Sequence, residues 1–208
     1  MIIANMGTTC DVRIINYKHM KNTVSVSLIV FLLMSVASCS DNDESADAHS
    51  AFFNNLSTLC GETFTGEASY PDDPDHPLVA TELRTHLSSC DEDMIRIELY
   101  RDSDYWHGAW VLEKRHDGLH LFHDHLGDER TEEDLGEDDS HGYGGYADDR
   151  GSATHQHFPA DDVTAQMIPE AATNVWMMEL DLENGIFTYY LERHDEPRFR
   201  AELSKADN

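Results

Sequence analysis

Histidines dominate the residue types that could do chemistry in this chain. There are 13, and seven fall in one stretch: His116, His120, His123, His125, His141, His155 and His157. Side chains two apart on a strand share a face. His123 and His125 therefore share a face with Leu119 and Leu121, and His155 and His157 share one with each other. Two His-x-His pairs on neighbouring strands would offer four imidazoles to zinc or copper. Asp124 would point the opposite way. A competing reading turns Gln156 and Phe158 inward and leaves His155 and His157 in solvent, where imidazoles moderate the charge of an acidic surface. No His-Glu-x-x-His helix and no cysteine ligand set accompanies the cluster. His123 and His125 are thus the best members of any metal site.

Other chemistries leave weaker traces. The stretch 126–149 carries Asp128, Glu129, Glu132, Glu133, Asp134, Glu137, Asp138 and Asp139, oxygen donors of the kind calcium prefers. These acids come in blocks, without the alternating spacing of an EF-hand, and blocks of like charge are usually solvated. No serine sits in a Gly-x-Ser-x-Gly elbow, and no Walker loop or dinucleotide fingerprint occurs. A hydrolase is therefore only the third reading, and no catalytic residue is assigned. Tyr105, Trp106, Trp110, Trp176, Phe187, Tyr189 and Tyr190 are either core or the lining of a ligand cavity. His123, His125, Tyr143 and Tyr146 are the residues expected to touch a small ligand there.

The elements that would position these residues are mostly strands. Phe52, Leu56, Leu59 and Cys60 lie on one face of a short helix over Ala51–Cys60, which Gly61 can end. From Phe64 the period changes to two. Ile95, Ile97 and Leu99 alternate with Arg96 and Glu98, and Trp106, Gly108, Trp110 and Leu112 alternate in the next run. Asp117-Gly118 marks a hairpin leading into Leu119–His125. The segment 126–149, with Gly142, Tyr143, Gly144, Gly145 and Tyr146, reads as a long acidic loop. Strands resume over Gly151–Phe158, Val175–Leu182, Ile186–Arg193 and Arg198–Leu203, with one helical turn near Asp162–Met167. About nine strands without alternating helices predict a mainly β chain. The expected architecture is an antiparallel up-and-down barrel, calycin-like, or a β-sandwich, with one short N-terminal helix.

The N-terminus supplies an address. Lys18, His19 and Lys21 precede an apolar run, Val24–Val36, of about thirteen residues, short of the ~20 that a spanning helix needs. A basic flank, a short apolar run and small residues predict a signal segment over 1–38. Residues 1–19 exceed what such a flank needs, and Met20 would make a more typical start. Val36-Ala37-Ser38-Cys39 resembles the lipobox of bacterial lipoproteins, which implies lipidation of Cys39. Residues 39–50 would then be an acidic tether, and 51–208 a single β domain. Ser40 directly follows the cysteine, with the first acid only at Asp41. The resemblance therefore implies the outer membrane, facing the periplasm. Firm attachment would need more than one acyl chain.

Charge and cysteines agree with an exported domain. The chain has 41 acidic and 14 basic residues and a formal charge of −27. Removing 1–38 takes away three basic side chains and one acid, which leaves −29. Such a charge excludes a nucleic-acid backbone or a bare anionic membrane surface as partner. With Cys10 upstream and Cys39 lipidated, Cys60 and Cys90 remain as an even pair, which reads as a disulfide in an oxidising compartment.

Several short patterns carry a wider resemblance. They are Phe64-Thr65-Gly66, Asp117-Gly118-Leu119, His123-Asp124-His125, Tyr143-Gly144-Gly145, Gly151-Ser152-Ala153-Thr154, Phe158-Pro159-Ala160-Asp161, Asn174-Val175-Trp176 and Arg198-Phe199-Arg200. Over 60–203 the chain resembles a family of uncharacterised bacterial secreted lipoproteins. That resemblance implies a shared fold and no particular activity. The expectation is a membrane-anchored module that binds a small ligand or an envelope protein, without a cofactor. A lipoprotein binding zinc, copper or calcium is the alternative.

Overall fold

The computed structural model describes residues 41–71, 79, 81–102, 104–125 and 142–206. The signal segment, Cys39 and the acidic stretch 126–141 lie outside the described residues. The described chain forms helix α1 (Asp41–Ser57) and then strands β1 (Thr63–Tyr70), β2 (Leu83–Cys90), β3 (Met94–Arg101), β4 (Tyr105–Arg115) and β5 (Gly118–Asp124). Next come β6 (Gly142–Tyr146), β7 (His155–Pro159), helix α2 (Asp162–Met167) and a 3-10 turn (Pro169–Ala171). Strands β8 (Asn174–Asp181), β9 (Ile186–Arg193) and β10 (Glu196–Lys205) complete it.

All the strand pairings are antiparallel, in the order β6-β5-β4-β3-β2-β1-β10-β9-β8-β7. The two outer strands meet across a seam. The Asp148 N–H donates to the His157 carbonyl at 3.0 Å, and the Asp161 N–H donates to the Gly144 carbonyl at 3.1 Å. The Thr164 hydroxyl accepts from the Gly144 N–H and donates to the Gly144 carbonyl, both at 2.8 Å. The sheet is thus a nearly closed up-and-down barrel and not a sandwich. Closure removes the open edges that a ten-stranded sheet would otherwise expose.

Alternation positions the core. In β3, Ile95, Ile97 and Leu99 point inward and are buried, while the residues between them are only partly covered. Helix α1 adds Phe52, Phe53 and Leu56 to the same core, each contributing roughly 1.5–3 kcal/mol of burial. The Cys60–Cys90 disulfide, with Cα atoms 6.1 Å apart, ties the turn after α1 to the end of β2.

Two elements differ from the sequence reading. Helix α1 begins at Asp41, so the expected tether over residues 41–50 is helical. Ala46, Ala48 and Ala51 favour helix there, and Ser45 and His49 meet one turn apart at 3.4 Å. The second difference is β6, which lies inside the expected acidic loop 126–149. A Cβ on Gly144 would stand 2.0 Å from the Leu121 carbonyl, and one on Gly145 would stand 1.8 Å from the Pro159 carbonyl. Glycine here permits close approach to β5 on one side and across the seam on the other, and does not mark a turn.

Candidate functional site

The end of the barrel opposite the disulfide stays open, and a cavity of about 590 Å³ occupies it. Its walls follow from strand parity. Trp110 on β4 stacks on Tyr189 of β9, with ring centroids 4.3 Å apart. His123 on β5 stacks on Tyr143 of β6 at 4.6 Å, and Tyr143 stacks on Trp176 of β8 at 5.4 Å. Leu99, Leu191 and Phe199 extend the apolar wall, and Ile168 and Ala171, between α2 and β8, cover one side. Such stacked rings give a flat, rigid surface suited to a planar or apolar molecule.

Burial sets the charge of these groups. His123 is enclosed, and desolvation, helped by neighbouring His125, pushes its pKa well below the usual imidazole range. His107 and His125 are also lowered, mainly by loss of water around their rings. Burial raises the Tyr143 phenol and raises Tyr189 well above its ordinary value. At neutral pH the three imidazoles are therefore uncharged and both phenols keep their protons. The Tyr189 hydroxyl and His123 Nε2 share a hydrogen bond of 3.3 Å. Positive charge comes instead from Arg193 and Arg198. The Arg193 Nε donates to Asn174 Oδ1 at 2.7 Å, and Asn174 is buried.

No protein-family model matches the sequence, and no curated protein matches it. Among solved structures, the chain is similar to a point mutant of the fluorescent protein UnaG, at 11% identity and a TM-score of 0.42. That likeness covers 74% of this chain and 99% of the other.

The residues singled out in the sequence fall in three places. His123, His125 and Tyr143 line the cavity. Tyr146 does not. It lies three residues beyond Tyr143, an odd step that turns it to the outer face of the wall, where its ring meets His120 at 4.6 Å. His155 and His157 also lie outside the barrel. They line a separate groove of about 410 Å³ with Met177, Glu179, Tyr190 and Arg200. Their ring centroids are 5.5 Å apart, but Gln156 and Phe158 are the residues of β7 that point inward. The two His-x-His pairs thus sit in different pockets, and the four imidazoles do not converge. Among the described residues, no three His, Cys, Asp or Glu side chains gather in a way that could hold a metal. Asp124 points outward as expected, and accepts from Arg96 at 2.9 Å.

Sequence reasoning missed Asn174, Arg193, Arg198 and His107. Parity carried a usable signal for two of them. Arg193 lies two and four residues after Leu191 and Tyr189, and Asn174 lies two before Trp176. Arg198 was not accessible this way, because β9 and β10 shift register between Pro197 and Phe199.

Proposed function

We propose that this protein is a membrane-anchored lipoprotein that binds a small, largely apolar ligand in the open end of its barrel. The observation that carries the reading is the aromatic cavity itself. Its volume of about 590 Å³ lies within the roughly 300–1,000 Å³ range of small-molecule sites, and aromatic rings from several strands, β4, β6, β8, β9 and β10 among them, line it. The anchor rests on the lipobox-like pattern at Cys39 and on the export signal before it. The barrel supplies a site already formed before the ligand arrives, which reduces the ordering cost of binding.

The test uses N-phenyl-1-naphthylamine, a neutral dye that brightens in apolar surroundings. The protein is expected to bind one equivalent saturably. Leu191→Trp, which fills the cavity, should weaken binding about tenfold or more while the melting temperature stays within a few degrees. Absence of saturable binding, or equal binding by the filled variant, overturns the cavity reading. Mass spectrometry of the membrane fraction tests the anchor. An N-terminal diacylglyceryl cysteine at position 39 supports it, and an unmodified Cys39 sinks it.

A further inference from the structure

We infer that the ligand of this cavity is an amphipathic anion: an aromatic or fused-ring body bearing one carboxylate or sulfonate, which Arg193 and Arg198 hold at the barrel mouth. This rests on the cavity being the binding site, and adds the chemical class of what enters it.

The chain has 41 acidic residues among 208, about one in five. Yet none of the twenty described residues lining the cavity is Asp or Glu, while two are arginines. The described lining of the cavity therefore differs in sign from the chain as a whole. Arg193 is half-buried at the mouth and Arg198 is exposed beside it, so Arg193 acts more strongly on a bound group than a fully solvated charge would.

Five other described arginines find carboxylates, Arg84 with Asp104 among them, and Arg101 lies over the Tyr105 ring. Arg96 meets Glu98 and Asp124, Arg115 meets Glu113, Arg150 meets Asp148, and Arg200 meets Glu202. Arg193 and Arg198 have no ion pair among the described residues. Arg193 is nonetheless fixed. Its Nε is held by the Asn174 side-chain oxygen at 2.7 Å, and Asn174 is only 4% exposed. That bond uses one donor and leaves the two terminal amino groups, whose fork matches a carboxylate or sulfonate. Arg193 lines the same cavity as Tyr143 and Trp176. A planar body lying on Tyr143 and Trp176 would thus present its acidic group to an oriented cation. Asn174 is a positioning residue in this arrangement.

The test compares two dyes with one skeleton. 8-Anilino-1-naphthalenesulfonate is N-phenyl-1-naphthylamine with a sulfonate added. At pH 7.5 and 0.15 M salt the sulfonate dye is expected to bind about tenfold or more tightly than the neutral one. Arg193→Gln and Arg198→Gln should each remove most of that preference and leave the neutral dye unaffected. Asn174→Ala should do the same in part, and Arg193→Lys should keep an intermediate preference. Equal affinities for the two dyes in the unaltered protein would mean that the arginines are neutralised by the chain's own acids, and would overturn the inference while leaving the cavity reading intact. The inference also fails if the arginine substitutions weaken both dyes alike. If neither dye binds, the cavity reading itself has failed.

Discussion

Thr164→Val should open the barrel at its seam. The side chain of Thr164 is 1% exposed and makes two hydrogen bonds of 2.8 Å to the backbone of Gly144, one to the N–H and one to the carbonyl. Valine keeps the shape and removes both. The Gly144 carbonyl still receives the Asp161 N–H at 3.1 Å, but the Gly144 N–H is left buried without its acceptor. An orphaned buried donor costs about 1–3 kcal/mol, so the expected loss is about 2 kcal/mol. For a domain of this size that lowers the melting temperature by roughly 4–8 °C. Thr164→Ser retains the hydroxyl and should cost under about 1 kcal/mol, the value of one buried methyl group. Urea unfolding measures the difference, and amide hydrogen exchange at Gly144 locates it. Strand β6 carries Tyr143, so loosening the seam should also weaken dye binding. A loss below about 0.5 kcal/mol with the Gly144 amide still protected would refute this account of how the barrel closes.

Two further outcomes are expected. Replacing both Cys60 and Cys90 by Ser removes a cross-link across 30 residues and should cost about 3–4 kcal/mol on the chain-entropy model; an unchanged urea midpoint would show that the bond contributes nothing. Stability should also fall on mild acidification. His120 and His123 are buried, and their imidazoles are held below the usual range chiefly by desolvation. The unfolded chain gains protons as pH drops through about 6.5 while the folded imidazoles resist, so each contributes a slope of up to about 1.4 kcal/mol per pH unit below that point. Urea midpoints at pH 7.5 and 5.5 measure this, and His123→Phe should flatten the slope; a midpoint that rises on acidification would contradict it.

Period-two alternation was legible wherever a strand has one apolar face. Ile95, Ile97 and Leu99 announce β3, and Leu119 and Leu121 place His123 and His125 on the inner face. Strand β6 was hidden because its sequence, Gly-Tyr-Gly-Gly-Tyr, carries no apolar alternation. Its glycines answer to the backbone atoms of other strands, and no local pattern records those. The start of α1 was hidden for a related reason: its first two turns have no apolar stripe, and composition alone resembled a tether. At the site, parity placed His123 but did not by itself pair Arg193 with Asn174, which takes the strand register as well. Their contact crosses from β9 to β8, where the ladder register sets the two residues directly opposite each other. The four-imidazole idea failed because residues on adjacent segments can share a period and still face opposite sides of a wall.

The up-and-down order of the strands also bears on how the chain folds. Every ladder but one joins strands that follow each other in sequence, and the exception pairs β1 with β10, where Gly66 stands opposite Leu203. The local hairpins can form early at small entropic cost. The terminal pairing must wait until almost the whole chain is gathered, because closing a long loop comes before any contact rewards it. Gly66 lies on that late junction, and a Cβ there would stand 2.2 Å from the Glu202 carbonyl. Gly66→Ala is therefore expected to speed unfolding more than it slows folding, as unfolding and refolding rates in urea would show. The strand order thus divides the barrel into two arms of local pairs joined only where its first and last strands meet.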